Sequence, residues 1–353
     1  MTMLYHEFQG LELSALGMGA MRLPVIDGDD ARVDENAVKE MVAYAIEHGV
    51  KSFPPAWGYH NGQSDLELGR ALAAYPRDSF YLADKFPGYD LSNMDKVEEI
   101  FEAQLEKCGV DYFDFYLFHN VCELNIDAYL DRSHRIYAYL TEQKKNGRIR
   151  HLGFSAHGSC EVIRRFLDAY GDAMEFAQIQ LNYLDWDFQG AKDKVELLTA
   201  HGLPVWVMEP LRGGSLAKLA PEEEEKLRAL RPNESMASWA FRFLQSVPEV
   251  TVILSGMSDL EQLKQNVETF SQDRPLSEAE RAALLGIAGD MVKKIVLPCT
   301  ACRYCTSHCP QGLNIPELLA LYNEHCFTKG GFIAPMAVSA IPEDKRPNAC
   351  IGW

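Results

Sequence analysis

Three side chains suited to proton transfer, Tyr59, Lys85 and His119, each follow an apolar run of this 353-residue sequence. A tyrosine can protonate a carbonyl oxygen while hydride reaches the adjoining carbon, but the pKa of a free phenol is about 10. A neighbouring ammonium group would lower that pKa, and an imidazole could orient the carbonyl. We therefore predict acid catalysis, with Tyr59 as the acid.

The segments that must bring these residues together alternate between strand-like and helix-like patterns. A hairpin at 4–14 is predicted to cap one end of a barrel. The predicted barrel strands are 14–21, 51–54, 79–85, 113–118, 149–154, 176–181, 204–208 and 251–254. The predicted helices are 35–48, 62–75, 93–109, 126–146, 159–170, 189–202, 234–246 and 259–271. Eight such units predict an α/β fold, a closed parallel barrel whose site lies at the carboxyl ends of the strands.

A tyrosine after the second barrel strand, a lysine ending the third and a histidine ending the fourth resemble the aldo-keto reductase family. The motifs that carry the resemblance are Ala56-x-x-Tyr59-x-x-Gly62, Lys85, His119 and Gly153-Phe-Ser155. The resemblance implies a TIM (β/α)8 barrel that uses NAD(P)H to reduce an aldehyde or ketone. It also implies that Tyr59 is the acid, Lys85 lowers its pKa and His119 positions the carbonyl oxygen.

One position departs from the family pattern Phe-Asp-Thr-Ala-x-x-Tyr, because this chain reads Phe53-Pro54-Pro55-Ala56. The aspartate of the family's catalytic tetrad, which pairs with the lysine, is thus replaced by Pro54. A buried lysine without a partner tends to lose its proton, and a neutral amine no longer polarises the phenol. We therefore expect weakened activity.

The resemblance also implies a nicotinamide cofactor. Ser155 and Gln178 match positions that hold the carboxamide, and Gly213 would let the backbone approach phosphate closely. The full implied cofactor set is Ser155, Gln178, Met208, Glu209, Leu211, Gly213, Ser255, Gly256, Gln262, Gln265 and Asn266. Gly256 and Gln262 stand where lysine and arginine often meet the 2'-phosphate of NADPH, so the choice between NADP and NAD stays open.

Three other features have plainer interpretations. Gly17-Met-Gly19 has no third glycine at position 22 and is read as a packing element rather than a dinucleotide loop. His60 is an alternative to His119. The acidic run within 216–233 is read as a solvated helix face, with a loop beside the cofactor as the alternative.

A cysteine run lies beyond the barrel, at Cys299, Cys302, Cys305 and Cys309, followed by Pro310. The spacing C-x2-C-x2-C-x3-C-P is typical of a ferredoxin-type [4Fe-4S] site, although zinc is an alternative. The run resembles the aldo-keto reductase branch with a C-terminal ferredoxin-type segment.

The end of the chain bears on the ligands of such a cluster. The segment ending Cys350-Ile-Gly-Trp353 resembles the opening of a second cysteine motif that is then cut short. The fourth ligand would be Cys309, Cys350 or Cys326, or the site could stay empty. The predicted domains are a barrel at 1–275 and a helix plus cysteine segment at 276–353.

Composition restricts the partners. A net charge of -17 argues against nucleic acid and anionic membranes. No run approaches about 18 apolar residues, and the first residues lack a signal-peptide pattern. Nine cysteines without an export signal favour the cytoplasm. The expected partners are a small carbonyl substrate and a redox protein at the cysteine segment.

Two readings from other classes stay open. The barrel could bind a nucleotide or a partner without turnover, since both the tetrad aspartate and the second cysteine motif are missing. Alternatively, the cysteine segment could transfer electrons and the barrel could serve as its dock.

Overall fold

An antiparallel hairpin, β1 (Tyr5–Phe8) and β2 (Leu11–Ser14), precedes a barrel in the computed structural model. The structure describes residues 3–297, 299, 305–306, 309–328 and 331–351. The barrel strands are β3 (Leu16–Gly19), β4 (Ser52–Phe53), β5 (Tyr81–Phe86), β6 (Phe113–Val121), β7 (Ile149–Ala156), β8 (Ala177–Gln180), β9 (Val205–Met208) and β10 (Val250–Gly256). They are all parallel and close in the order β10-β3-β4-β5-β6-β7-β8-β9, which confirms the predicted eight-stranded barrel.

The helices that surround the barrel also follow the predicted alternation. They are α1 (Glu35–Glu47), α2 (Ser64–Leu72), α3 (Val97–Cys108), α4 (Ile126–Leu130), α5 (Ile136–Lys145), α6 (Cys160–Tyr170), α7 (Asp185–Phe188), α8 (Ala191–Ala200), α9 (Pro221–Leu230), α10 (Met236–Gln245) and α11 (Leu260–Phe270). Further helices follow, namely α12 (Glu278–Ile295), α13 (Ile315–Thr328) and α14 (Ile333–Ala340). The acidic run of 216–233 lies in α9, as predicted.

The prediction of one helix over 126–146 was wrong. The chain forms α4 and α5, separated by a turn in which the carboxylate of Asp131 accepts a hydrogen bond from Ser133 N. Arg135 then adopts a left-handed φ of 58°, which an α-helix does not allow. The apolar periodicity continues across the break, so the pattern alone did not reveal it.

Aromatic side chains fill the barrel interior at the end covered by the hairpin. The rings of Phe115 and Trp206 lie 4.7 Å apart, and Phe8 of β1 packs 5.7 Å from Phe115. These residues belong to a separate buried cluster inside the strands. The hairpin therefore closes the amino-terminal end of the barrel and leaves the other end for polar side chains.

The C-terminal helices lie against the loops at the open end. Arg212 donates to Glu324 of α13 at 2.6 Å, and Asn120 donates to the sulfur of Met336 in α14 at 3.1 Å. These described residues form helices, and a ferredoxin-like character of the segment is not confirmed. Within the described ranges, no helix is long and apolar enough to cross a membrane. The domain boundary at 275/276 stays a prediction.

Candidate active site

A cavity of about 470 Å³ opens where the barrel strands end. Tyr59 and Lys85 both line it, together with residues that lie in or follow β3, β8, β9 and β10. Its wall includes Gly19, Ala20, Met21, Arg22, Pro54, Gln178, Met208, Glu209, Pro210, Leu211, Gly213, Gly214, Leu254, Ser255, Gly256, Ser258, Gln262, Gln265 and Asn266. This is the end of a parallel barrel at which ligand sites are built.

Tyr59 is held in a short turn whose backbone is unusual. His60 and Asn61 adopt left-handed φ values of 51° and 52°, and Gly62 follows at 84°. The buried ring of His60 fixes this turn, because its Nε2 accepts a hydrogen bond from Leu23 N at 3.0 Å. Burial raises the pKa of Tyr59 above 10, and the acidic neighbours raise it further. The phenol is therefore protonated at neutral pH, which is the form a catalytic acid needs.

Lys85 lies beside the phenol and is only 2% exposed. Its Nζ is 5.2 Å from the centroid of the Tyr59 ring and donates to Pro55 O at 2.8 Å. Burial lowers the pKa of Lys85 to about 8, while Asp84 and Asp65 oppose that fall. The ammonium form thus predominates at neutral pH. That Lys85 lowers the pKa of Tyr59 stays a prediction, since burial dominates here.

His119 completes the group, with its ring centroid 6.2 Å from that of Tyr59 and 5.1 Å from that of Tyr89. The strand continues past His119 to Val121, but its register shifts between Phe118 and Val121. Such an irregularity changes the direction in which a side chain on the strand points. Burial, with Lys85 nearby, holds the pKa of His119 well below 6.5, so the imidazole is neutral.

Two residues predicted to hold a carboxamide differ in position. Gln178 lines the cavity; its Nε2 donates to Met208 Sδ at 3.3 Å, and its buried Oε1 has no hydrogen-bond partner among the described residues. Ser155 is fully buried and accepts from Asn120 N at 2.8 Å, which ties β7 to β6. The orphaned Gln178 oxygen therefore fits a ligand amide, whereas Ser155 lies outside the cavity wall.

A cation that the sequence did not single out crosses the cavity. A Cβ added to Gly256 would lie 3.2 Å from the side-chain carbons of Arg22, and one added to Gly213 would lie 3.2 Å from Arg22 Nη2. Arg22 therefore spans the space between Gly213, which was predicted to approach phosphate, and Gly256 at the predicted adenosine end. Its position directly after β3, at the carboxyl end of a strand, was the available signal. Of the glycine pair read as packing, Gly17 does pack against Leu254, but Gly19 lines the cavity.

The predicted adenosine end is neutral or acidic. Gln262 donates to the carboxylate of Asp259 at 2.8 Å, and Gln265 donates to Glu261 at 3.0 Å. Asn266 donates to Ser255 Oγ at 3.2 Å. Lys264 lies over the ring of Tyr44, 5.8 Å from its centroid. Within the described cavity wall, the positive charges are therefore Arg22 and Lys85.

A buried ion network supports the loop after β9. Arg212 Nε contacts Asp185 Oδ1 at 3.0 Å, and its Nη2 contacts Glu324 Oε2 at 2.6 Å. Glu209 and Arg212 have left-handed φ values of 55° and 48°. Because Arg212 directly precedes Gly213, this network joins α13 to the cavity wall.

The predicted cluster ligands lie only partly within the described residues. Cys302 is outside them, Cys299 and Cys305 are exposed, and Cys309 is half-buried. Within the described ranges, no group of three histidine, cysteine or acidic residues is placed to hold a metal. The backbone N–H groups of Leu313, Gln311 and Gly312 lower the pKa of the Cys309 thiol, which suits a thiolate ligand.

Comparison with known proteins identifies related sequences over most of the chain. The model of the Aldo/keto reductase family matches residues 15–287. NADH-specific methylglyoxal reductase of Escherichia coli is 24% identical over 324 residues, covering 79% of this chain and 95% of that protein. L-galactose dehydrogenase of Arabidopsis thaliana is 25% identical over 284 residues, covering 74% and 86%.

Solved structures share the fold. Aldo-keto reductase AKR11C1 from Bacillus halodurans, in its holo form, has a TM-score of 0.66 at 23% identity, covering 81% of this chain and 96% of that one. An aldo-keto reductase from Klebsiella pneumoniae in complex with NADPH has a TM-score of 0.62 at 19% identity, covering 82% and 96%.

Proposed function

The chain belongs to the aldo/keto reductase family, and we propose that it reduces an aldehyde or ketone with a reduced nicotinamide cofactor. The observation that carries the proposal is the meeting of Tyr59, Lys85 and His119 at one mouth of the barrel, within 5.2 to 6.2 Å of the Tyr59 ring by centroid distance. Tyr59 follows β4, Lys85 lies near the end of β5 and His119 near the end of β6, and these three strands are neighbours in the parallel sheet, which brings the residues together.

The proposed roles follow from protonation states. When bound, the reduced nicotinamide supplies hydride to the carbonyl carbon. Tyr59 donates its proton to the carbonyl oxygen, and the Lys85 ammonium stabilises the phenolate that remains. Neutral His119 donates a hydrogen bond that orients the carbonyl. Acid catalysis of this kind contributes about 10²- to 10⁴-fold in rate.

The cofactor set that we propose is the predicted one without Ser155, which lies outside the cavity wall, and with Arg22 added. The unpartnered oxygen of Gln178 and the backbone at Gly213 and Gly256 support it. Arg22 provides positive charge for the pyrophosphate. Because Asp259 and Glu261 flank the adenosine end, we propose that NADH is used at least as well as NADPH.

For the C-terminal segment we propose a [4Fe-4S] cluster on Cys299, Cys302, Cys305 and Cys309, supported by their spacing and by the N–H groups around Cys309. The cluster would store an electron for a redox partner. Anaerobic purification should yield a brown protein with about four irons per chain, and bleaching by dithionite would agree. A colourless protein that binds one zinc would contradict it.

A barrel that binds nucleotide without turnover is a second candidate, because Pro54 replaces the family carboxylate and burial lowers the pKa of Lys85. Titration of nicotinamide fluorescence, followed by steady-state turnover of methylglyoxal, separates the two. Binding with turnover supports the reductase. Binding without turnover of methylglyoxal or other reactive aldehydes supports the second candidate. A cytoplasmic location stays a prediction.

A further inference from the structure

The loop after β9 forms part of the cavity wall and has an unusual backbone. Glu209, Leu211 and Gly213 line the cavity. Glu209 and Arg212 adopt left-handed φ values of 55° and 48°, which residues with a side chain rarely adopt. Such a conformation persists only where surrounding contacts hold it. The contacts of this loop therefore determine the shape of the wall at Gly213, which was predicted to approach phosphate.

The barrel holds the loop through Asn182 and Asp185. Asn182 Nδ2 donates to Glu209 O at 3.0 Å and to Asp185 Oδ2 at 2.7 Å. Arg212 Nε donates to both carboxylate oxygens of Asp185, at 3.0 and 3.1 Å. The side chain of Arg212 is 3% exposed and that of Asp185 is fully buried. These contacts fix the Nε edge of the guanidinium and not its Nη groups.

The Nη edge of the guanidinium is held by α13. Arg212 Nη2 donates to Glu324 Oε2 at 2.6 Å, and the guanidinium lies 4.7 Å over the ring of Phe327. The side chain of Glu324 is 2% exposed, and Gln189 donates to the same carboxylate oxygen. Among the described residues, Glu324 is the one hydrogen-bond partner of the two Nη groups. Loss of its carboxylate would leave the Nη groups of a buried cation without a charged partner, which is costly.

Further contacts place the C-terminal helices across the mouth of the barrel. Met336 Sδ in α14 accepts from Asn120 Nδ2 at 3.1 Å, and Asn120 directly follows His119. The ring of Phe332, at the start of α14, lies 5.3 Å from that of His157. The helices α13 and α14 therefore contact the ends of β6 and β7 as well as the loop after β9, so that Glu324 reaches Arg212 from an element held at several points.

We propose that Glu324 is a positioning residue for the cofactor: through Arg212 it holds the loop after β9 in its left-handed conformation, so that α13 and the reduced nicotinamide cofactor bind to the barrel cooperatively. The inference rests on the proposed cofactor site. Such coupling is reciprocal, so a docked α13 strengthens cofactor binding and a bound cofactor stabilises the docked α13.

The alternative is that apolar packing of α13 holds the loop without the charge. The ring of Phe327 lies 5.7 Å from that of Phe188, beside the same guanidinium. Glu324→Gln separates the two explanations, because glutamine has nearly the shape of glutamate and the substitution leaves this aromatic contact in place.

The direct test is titration of NADH fluorescence in the native chain, in Glu324→Gln and in Glu317→Gln. Glu317 is an exposed glutamate of the same helix, so its variant is the matched control. Glu324→Gln should raise the Kd for NADH about tenfold, a size usual for coupled sites, whereas Glu317→Gln should leave it unchanged. Equal Kd values in the two variants would overturn the proposal while the proposed function stands. A native chain that binds no NADH would instead overturn the proposed cofactor.

Steady-state kinetics with methylglyoxal separate positioning from a general loss of structure. In Glu324→Gln the KM for NADH should rise about tenfold, while kcat at saturating NADH stays within about twofold, because the loop contacts the cofactor and not the carbonyl. In the Arg212→Gln background, Glu324→Gln should have no further effect, since both residues act through one contact. A lower kcat with an unchanged KM, or effects that add in the double variant, would contradict the proposal.

Amide hydrogen exchange in the native chain keeps the test independent of whether Glu324→Gln folds. NADH should slow exchange in α13 at least about threefold, because the bound cofactor holds the loop on which α13 is docked. Exchange in α5, which contributes no residue to the described cavity wall, is the control and should not change. Unchanged exchange in α13, or equal slowing in α5 and α13, would show that the cofactor and α13 are not coupled through this loop.

Discussion

Buried charged groups are paired differently in two regions of the barrel, the end near the hairpin and the cavity at the mouth. At the end near the hairpin, Asp114 accepts from Arg77 at 2.7 Å and from Leu82 N at 3.0 Å, and Glu175 contacts Lys144 at 2.5 Å. At the mouth, Lys85 lines the cavity, has no ion-pair partner within the described residues and donates its hydrogen bond to Pro55 O. The carboxylates Asp114 and Glu175 are thus paired within the fold, whereas the ammonium of Lys85 faces the cavity without an ion-pair partner among the described residues, although the loop after β9 has its own paired network around Arg212.

This difference separates stability from function. The paired and hydrogen-bonded carboxylate of Glu175 stabilises the folded chain, because its pKa is lowered on folding. Unpaired buried groups cost stability and are expected where catalysis needs them. Substitutions at the cavity should therefore lower activity more than stability, and substitutions at the hairpin end should lower stability more than activity.

The largest effect is expected for Lys85→Met. Loss of the ammonium should lower kcat by about 10²- to 10³-fold, because the phenolate of Tyr59 is no longer stabilised. The Tm should not fall, since a buried charge without an ion-pair partner is removed. Steady-state kinetics measure the change in kcat, and thermal unfolding measures the change in Tm. The matched control is Lys144→Met at the hairpin end, which should leave kcat unchanged and lower the Tm. A lower kcat with an unchanged Tm in this control would contradict the difference between the two regions.

Glu175→Gln should reduce stability by about 2 to 3 kcal/mol at pH 7 with little change in kcat. Although burial raises the pKa of Glu175, hydrogen bonds from His151, Lys144 and Leu152 N lower it to about 2. A depressed folded pKa gives stability that is full above about pH 4.5 and is lost as the pH falls towards 2. Urea unfolding at pH 7 and pH 3 should show the wild-type advantage shrinking. An advantage that is equal at both pH values would exclude the ionised carboxylate as its source.

Arg22→Ala should raise the KM for NADH about tenfold, equivalent to about 1.4 kcal/mol, with a smaller change in kcat. Its side chain spans Gly213 and Gly256 in the cavity. Arg32→Ala removes an exposed arginine that pairs with Asp27 at 3.2 Å and serves as the control. Equal KM values in the two variants would remove Arg22 from the cofactor site.

The smallest effect is expected for Gln262→Arg. A cation at the adenosine end should raise kcat/KM for NADPH relative to NADH by about fivefold, because the 2'-phosphate gains a partner while Asp259 remains nearby. Gln272→Arg adds the same charge at an exposed position outside the cavity wall. If both variants change the ratio equally, net charge rather than local contact is responsible.

Much of the fold could be predicted because strand and helix periods alternate along the chain. Tyr59, Lys85 and His119 could be placed at one end of the barrel from their positions at strand ends alone. The division of residues 126–146 into two helices could not be predicted, because it depends on the backbone at Asp131 and Arg135 rather than on the spacing of apolar residues.

The burial of Asp65 and the position of Arg22 were missed for a different reason. Asp65 reads as an ordinary polar residue in the first turn of a helix, and its burial follows from how closely α2 approaches α3. A Cβ at Gly69 would lie 2.6 Å from Cys108 O, so that approach requires glycine. Arg22 spans loops that are more than 190 residues away in sequence from its own. Such long-range contacts leave no local pattern.

The most direct test of the account is hydride transfer in a single turnover, followed by nicotinamide absorbance after NADH-bound protein is mixed with methylglyoxal. Tyr59→Phe should slow the transfer at least 100-fold with an unchanged Kd for NADH, whereas Tyr81→Phe, at the hairpin end, should match the wild type. Transfer in Tyr59→Phe within threefold of the wild-type rate would contradict the assignment of Tyr59 as the acid.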